Sequence, residues 1–199
     1  MFKKGFLIVF EGIDASGKTL HLKTISDELR KQGYNVLSTK EPTNNIIGNF
    51  IHRYSRQQRL HLLPETEALL FTADRFEHIK KTIEPALRQG RIVISDRSFY
   101  STMAYQGAFG ADIDWIRKIN WFAPKPDLCI LFDILPDYSL HRINRRRTIF
   151  EDVENLRRVR DVYLKLVEAG ELVTVNADRP RRVVQEELLA MVKALIGVS

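Results

Sequence analysis

A chain of 199 residues, 44% hydrophobic and 28% charged, has the size and composition of one globular domain and argues against disordered and fibrous classes. One cysteine, Cys129, excludes an intrachain disulfide and a cysteine-rich zinc site, and the five histidines form no HxxxH pair. Lysine plus arginine outnumber aspartate plus glutamate by 31 to 25, so the net charge of +6 and the pI near 9.5 suit a polyanionic partner: nucleic acid, a membrane surface or a phosphorylated small molecule.

In chain order, Lys3 and Lys4 precede an apolar run, Phe6 to Phe10, that Glu11 ends too early for the roughly 7–15 residues of a signal-peptide core. No later run approaches the roughly 18 apolar residues of a membrane span, so the chain reads as cytoplasmic, with no membrane partner. Short apolar runs then alternate with longer helical patterns, which is the signature of βαβ units and a parallel sheet. Strands are predicted at 6–11, 35–39, 91–95, 127–133 and 172–175. Helices are predicted at 18–32, 46–56, 64–88, in two pieces within 99–121, and at 136–145, 153–169 and 180–196. The expected fold is a three-layer α/β/α sandwich around a five-stranded parallel sheet with right-handed crossovers, as a single domain over 1–199.

The strongest motif is Gly12-Ile13-Asp14-Ala15-Ser16-Gly17-Lys18-Thr19, which matches GxxxxGK[ST] between a predicted strand and an amphipathic helix bearing Leu22, Ile25 and Leu29. Its backbone N–H groups and the helix N-terminus suit the phosphates of a nucleotide, which makes the expected fold P-loop nucleoside triphosphate hydrolase-like. Lys18 is placed to span the β- and γ-phosphates and the Thr19 hydroxyl to ligate Mg²⁺. An NKxD motif is missing and no DxxG lies outside the loop's own Asp14-Ala15-Ser16-Gly17, where it cannot serve as a separate GTPase switch, so the loop points to phosphoryl transfer onto a small substrate.

Acceptor candidates follow. Asp96 and Arg97 end the third strand, where α/β sheets bind ligands, and an arginine there can clamp a phosphate or cap the next helix through a salt bridge. Phe71 and Arg75 lie four residues apart on one helix face, suited to stacking on and bonding a flat base, or to core packing. Arg142, Arg145, Arg146 and Arg147 form the densest cationic run, either a phosphoryl-stabilising cluster or a basic patch for nucleic acid; no interleaved aromatics support the patch.

Phe10-Glu11-Gly12-Ile13-Asp14, Lys40-Glu41-Pro42-Thr43, Leu70-Phe71-Thr72-Ala73-Asp74-Arg75, Asp96-Arg97 and Ser101-Thr102-Met103-Ala104-Tyr105-Gln106-Gly107 together resemble the thymidylate kinase family, in its order and spacing. The resemblance implies ATP + dTMP → ADP + dTDP with Mg²⁺. It implies that Phe71 stacks on thymine, that Arg75 bonds its O4 edge, and that Ser101 and Thr102 approach the base. Tyr105, backed by Gln106, is implied to exclude a 2′-hydroxyl. Arg97 is implied to hold the dTMP phosphate beside Glu41-Pro42, and Asp14 to lie at the transfer site against Mg²⁺ or the sugar. It further implies a homodimer, without a nucleic-acid partner.

Two positions depart from the family pattern. One branch carries a P-loop arginine where this chain has Ala15; the other supplies arginines from a lid, here about 142–150, with Arg145 and Arg146 as the catalytic candidates. Relatives often read Ile-Arg where this chain has Ile51-His52-Arg53, and Arg53 lies about 100° around the helix from His52. The alternatives to a dTMP kinase are a broader-specificity nucleoside monophosphate kinase and a nucleotide-binding regulator docking nucleic acid. Cys129 and the tryptophans, Trp115 and Trp121, read as packing or subunit contact.

Overall fold

A computed structural model describes residues 5–57, 62–142 and 148–197. Five strands, β1 (Phe6–Glu11), β2 (Val36–Lys40), β3 (Ile92–Asp96), β4 (Leu128–Asp133) and β5 (Val173–Asn176), form one all-parallel sheet in the order β2-β3-β1-β4-β5. β1 and β3 are buried along almost their whole length, which is why they read as unbroken apolar runs rather than alternating ones. Ile8, Phe10, Ile94, Ile130 and Phe132 are fully enclosed. Each contributes about 1.5–3 kcal/mol by leaving water.

The helices are α1 (Lys18–Lys31), α2 (Ile46–Tyr54), α3 (Pro64–His78), α4 (Glu84–Arg88), α5 (Phe99–Ala108), α6 (Ile113–Ile119), α7 (Pro136–His141), α8 (Val153–Glu168) and α9 (Arg181–Ile196). α8 buries Leu156, Val159, Val162, Tyr163 and Leu166 at helical spacing and packs on α5. Asp112 and Asp152 cap α6 and α8, each accepting two backbone N–H bonds of the first turn.

The predicted helix 64–88 is not continuous. A π-helical turn, Ile79–Ile83, separates α3 from α4. Pro85 lies two residues beyond it and has no N–H to return to the preceding turn, so the hydrogen-bond ladder widens there. The predicted helix 136–145 is described as helix only to His141, and residues 143–147 lie outside the described residues. Among the described residues no helix is long and apolar enough to cross a membrane.

The parallel order places the carboxyl ends of all five strands on one side. Register pairs Phe10 of β1 and Lys40 of β2 with the same residue, Asp96 of β3. Ligands of such sheets bind in the crevice beyond those ends, beside the central strand.

Candidate active site

The loop leaving β1 is shaped by what cannot fit. Gly12 has φ +136, and a Cβ there would lie 2.8 Å from the Phe132 carbonyl of neighbouring β4. Only glycine turns there without pushing the strands apart. Gly17 serves as the N-cap of α1 with no side-chain cap, which leaves the first-turn N–H groups facing the loop. Lys18 curls into that loop: its Nζ donates to the carbonyls of Gly12 at 3.0 Å and Ile13 at 2.8 Å and to Ser16 Oγ at 3.3 Å. Burial, then the nearby Arg97 charge, lower its pKa to about 8. The Thr19 hydroxyl donates to Asp96 Oδ2 at the mouth of the loop.

Beside the loop opens a cavity of about 590 Å³. At one end Arg97 turns back over the P-loop from a left-handed backbone, φ 81, while its own N–H donates to the Phe10 carbonyl at 2.9 Å. Its guanidinium donates to Asp14 Oδ1 at 2.7 Å, Gly12 O at 3.1 Å, Ser101 Oγ at 3.0 Å and Tyr105 Oη at 3.2 Å. Tyr105 donates in turn to Asp14 Oδ2 at 2.8 Å. Burial raises the Asp14 pKa, but the Arg97 and Lys18 charges and these hydrogen bonds outweigh it and hold the carboxyl below its ordinary value. Burial and the adjacent Asp14 push the Tyr105 phenol well up, so it remains a donor. The Tyr105 ring is held by Arg97 at 5.0 Å and edge-on by Phe150 at 6.0 Å.

The other end is a locked polar wall. Arg75, 2% exposed, donates to Glu41 at 2.7 Å, Asn120 Oδ1 at 2.7 Å, Thr102 Oγ1 at 3.0 Å and the Ser98 carbonyl at 3.1 Å. Glu41 also meets His78 Nδ1 at 3.1 Å. Burial raises the Glu41 pKa, yet Arg75 and His78 bring it below the usual value. Gln106 Nε2 donates to Glu67 at 3.0 Å, and Tyr54 donates to the second oxygen of Glu67 at 2.5 Å. Burial and Glu67 push the Tyr54 phenol up to about 12. Phe71, half-buried, completes this wall.

Beneath both ends lies Glu11, which accepts from Ser98 N at 2.7 Å, Ser98 Oγ at 2.8 Å, Ser101 Oγ at 2.6 Å and Tyr163 Oη at 2.8 Å. Its full burial raises its pKa against these four donors and the Arg97 charge.

A P-loop and an adjoining cavity with an arginine-lined end and an aromatic, hydrogen-bonding end, joined by Arg97, have the layout of a site for two phosphorylated substrates. The chain matches the thymidylate kinase family over residues 10–188. It belongs to that family. A protein of Pyrococcus horikoshii named "Probable thymidylate kinase" is 46% identical over 204 residues, covering 98% of this chain and 100% of that protein. One of Pyrococcus abyssi with the same name is 43% identical at the same coverage. The "Thymidylate kinase" of Desulfotalea psychrophila is 38% identical over 98% of both chains.

For this member of the thymidylate kinase family, the structure brings Asp14, Glu41, Pro42, Phe71, Arg75, Arg97, Ser101, Thr102, Tyr105 and Gln106 to one cavity, and Gly12, Ile13, Asp14, Ala15, Ser16, Gly17, Lys18 and Thr19 to the loop beside it. Arg97 does not cap the following helix; Ser98 does, accepting from Tyr100 N. Phe71 lies in the cavity wall rather than the core. Arg145 and Arg146 lie outside the described residues, and Arg142 donates to Asp178 at 3.3 Å. His52 lines the cavity, whereas Arg53, next to it, is exposed. Cys129 is buried in β4, Trp115 packs on the core and Trp121 is 83% exposed.

Sequence reasoning missed Glu11, Tyr54, Glu67, Asn120, Phe150 and Tyr163. Glu11 carried a readable signal, because a carboxylate closing a strand buried on both faces must find donors. Glu67 reads as an ordinary acidic residue of a first helical turn, and nothing in its spacing marks Gln106 as its partner.

Proposed function

We propose that this chain transfers the γ-phosphoryl group of ATP to dTMP, giving ADP and dTDP, with Mg²⁺. The observation that carries the assignment is the cavity itself: an anion-binding end at Arg97 and a planar, hydrogen-bonding end at Phe71 and Arg75, opening beside the P-loop. We assign the cytoplasm as its compartment, which a single buried cysteine fits.

ATP phosphates lie on the N–H groups of residues 12–19, and Lys18 exchanges its loop carbonyls for phosphate oxygens. The residues present fit the metal: the Thr19 hydroxyl and Asp96 carboxylate offer hard oxygen ligands, and Mg²⁺ takes one or two carboxylates with the substrate's phosphates rather than a protein cage. When bound, that ion neutralises charge on the transferring phosphoryl group. Arg97 holds the acceptor phosphate and Asp14 orients Arg97. No general base is needed, because a phosphate monoester is already largely dianionic at pH 7. Position and charge then supply the catalysis.

Phe71 stacks on thymine, and Arg75, Ser101 and Thr102 address its edge. Tyr105 stands as a rigid wall under the sugar, held by Asp14, Arg97 and Phe150, and Gln106 supports it. Glu41 acts through Arg75, with Pro42 beside the phosphate. From the lid, Arg145 and Arg146 stabilise the transferring group, a role in which removing one arginine costs about 10³–10⁵ in rate. A two-fold dimer covers the apolar side of α3, where Phe76 meets Phe122 edge-on at 4.8 Å and Trp121 is 83% exposed.

The test is ADP release with Mg-ATP against dTMP, dUMP, UMP, dCMP, AMP and GMP. Strong preference for dTMP over UMP is expected. Equal rates across the pyrimidine nucleotides would overturn Tyr105 as a sugar gate and favour the broader kinase, and no turnover with any acceptor would sink the phosphotransferase.

A further inference from the structure

The carboxylate of Glu41 meets Arg75 through one oxygen only. A guanidinium and a carboxylate commonly pair through two parallel N–H bonds, but here Arg75 uses Nε alone, donating to Glu41 Oε2 at 2.7 Å. The second oxygen is taken. Glu41 Oε1 lies 3.1 Å from Nδ1 of His78, which is 2% exposed at the end of α3 and shares a helix face with Phe71 and Arg75. The other ring nitrogen, Nε2, lies 2.6 Å from the Thr39 hydroxyl of β2. An ionised carboxylate only accepts, so His78 Nδ1 carries a hydrogen whether the ring is neutral or charged.

The backbone beneath this pair is already fixed. Glu41 N–H donates to the Asp96 carbonyl at 2.9 Å, and Asp74 of α3 accepts from Thr43 N at 2.7 Å and Thr43 Oγ1 at 2.5 Å. What remains to be set is the rotation of the Glu41 carboxylate, and His78 sets it. With Oε1 held away, both Nη nitrogens of Arg75 go to other partners. Nη1 donates to Asn120 Oδ1 at 2.7 Å, and Nη2 donates to Thr102 Oγ1 at 3.0 Å and the Ser98 carbonyl at 3.1 Å. Among the described residues these bonds, with that of Nε, leave one guanidinium N–H, on Nη1, for the cavity that Arg75 lines.

We propose that His78 is a positioning residue for recognition of the acceptor base: by holding Glu41 to a single bond with Arg75, it keeps the guanidinium turned so that its remaining N–H selects an oxygen, and not an amine, on the edge of the base. The inference rests on reading the cavity as the dTMP site. Without the Nδ1–H, Oε1 turns to Nη2, the donor on the same edge of the guanidinium as Nε. The pair becomes bidentate, Nη2 leaves Thr102, and the guanidinium turns with it. His78 itself makes no bond to the substrate and passes no proton to it. It acts only through Glu41 and Arg75.

The test is steady-state phosphorylation by the full-length protein of dTMP and of 5-methyl-dCMP, which presents an amine where dTMP presents its 4-oxygen. Two variants separate the ring's two contacts. The side-chain amide nitrogen of asparagine reaches the place of Nδ1 and that of glutamine the place of Nε2, so His78→Asn keeps the bond to Glu41 and His78→Gln only the bond to Thr39. In His78→Gln the preference for dTMP over 5-methyl-dCMP in kcat/KM should fall by about tenfold, the worth of one hydrogen bond to a charged group. The loss should appear in KM for dTMP and not in KM for ATP. His78→Asn, although the smaller side chain, should keep the preference to within about threefold of wild type, because the donor to Glu41 is retained. In the nitrogen-15-labelled wild type, NMR should show a hydrogen on His78 Nδ1. An Nδ1 without one would overturn the proposal even where neither variant folds, as would a preference retained in His78→Gln or lost further in His78→Asn. A wild type that phosphorylates both nucleotides alike, or neither, would overturn instead the reading on which the proposal rests.

Discussion

The P-loop and the cavity beside it, the proposed donor and acceptor sites, are built on opposite principles. The loop is eight consecutive residues shaped by its backbone, with Lys18 folded onto the carbonyls of Gly12 and Ile13 and Thr19 on Asp96. The cavity is made of side chains from the segments after β1, β2 and β3, from α2, α3 and α5 and from the turn before α8, and its polar members Asp14, Glu41, Arg75, Arg97, Ser101, Thr102 and Tyr105 are already held by hydrogen bonds among themselves. A backbone site tolerates change in its neighbours; a network of buried side chains fails when one member is removed, because its partners are left without bonds.

The largest expected effect is at the residue the two regions share. Arg97→Ala removes the guanidinium that ties Asp14 and Gly12 of the loop to Ser101 and Tyr105 of the cavity. Breaking such a pair costs about 3–5 kcal/mol, so kcat/KM for dTMP should fall by roughly 10²–10³ or more in steady-state assays. Arg97→Lys should recover little of it, since an ammonium cannot replace the fork. A variant that changed only the KM for ATP would place Arg97 with the donor loop and dissolve the contrast.

Next comes Glu67→Ala, which touches no loop residue. It leaves Gln106 Nε2 and the Tyr54 hydroxyl without their carboxylate, a cost of about 1–3 kcal/mol for each group left unpaired. KM for dTMP should rise about tenfold or more, melting temperature should drop by several degrees, and KM for ATP should stay near wild type. An equal rise in both KM values would show that the wall and the loop act as one unit.

This contrast also explains what was legible in the sequence. The loop could be read because its chemistry lies in contiguous residues between a strand and a helix. The sheet could be read because β1, β3 and β4 are buried on both faces and leave unbroken apolar runs. Strand ends came within one residue of their positions, while the π turn at Ile79–Ile83 did not show, since Pro85 inside an apolar helical pattern looks tolerable locally. Of the cavity, Arg97 was legible from its place at a strand end and the Phe71 and Arg75 pair from helical spacing, whereas the other members were legible only through the family's motifs. The partners were not: that Arg75 would be saturated by Glu41, Asn120 and Thr102, or that Ser101 would serve Glu11, depends on contacts between residues far apart in sequence.

The loop's own sensitivity is to pH. Lys18 titrates at about 8 in the folded protein, below its ordinary value. Below pH 8 the buried charge is present at its full cost to folding; as pH rises from about 8 toward that ordinary value, the folded state loses the proton first and this cost is relieved. Phosphate binding loses at the same time what folding gains. In pH profiles, kcat/KM for ATP should decline above about pH 8 by up to tenfold per unit, while thermal stability does not fall with it from this group. An ATP profile flat to pH 9.5 would mean that the loop binds through its backbone alone.

The smallest effect is expected where the cavity wall meets the outer surface. α3 carries Phe71 and Arg75 on the face toward the cavity and the exposed Leu69 and Phe76 elsewhere on the helix; the donor loop shares no helix with that apolar side. Trp121→Ser, removing an 83% exposed indole that meets Phe122 edge-on at 6.2 Å, should convert a dimer of twice 23.1 kDa to the 23.1 kDa chain in light scattering. Freed of a partner, α3 is supported on its outer side by water alone, so KM for dTMP should rise about two- to threefold, under 1 kcal/mol, with KM for ATP unchanged. A monomer of unaltered dTMP affinity would show that Glu41, Asn120 and Thr102 hold Arg75 without help from the interface, and a wild type already monomeric would remove the interface from the site altogether.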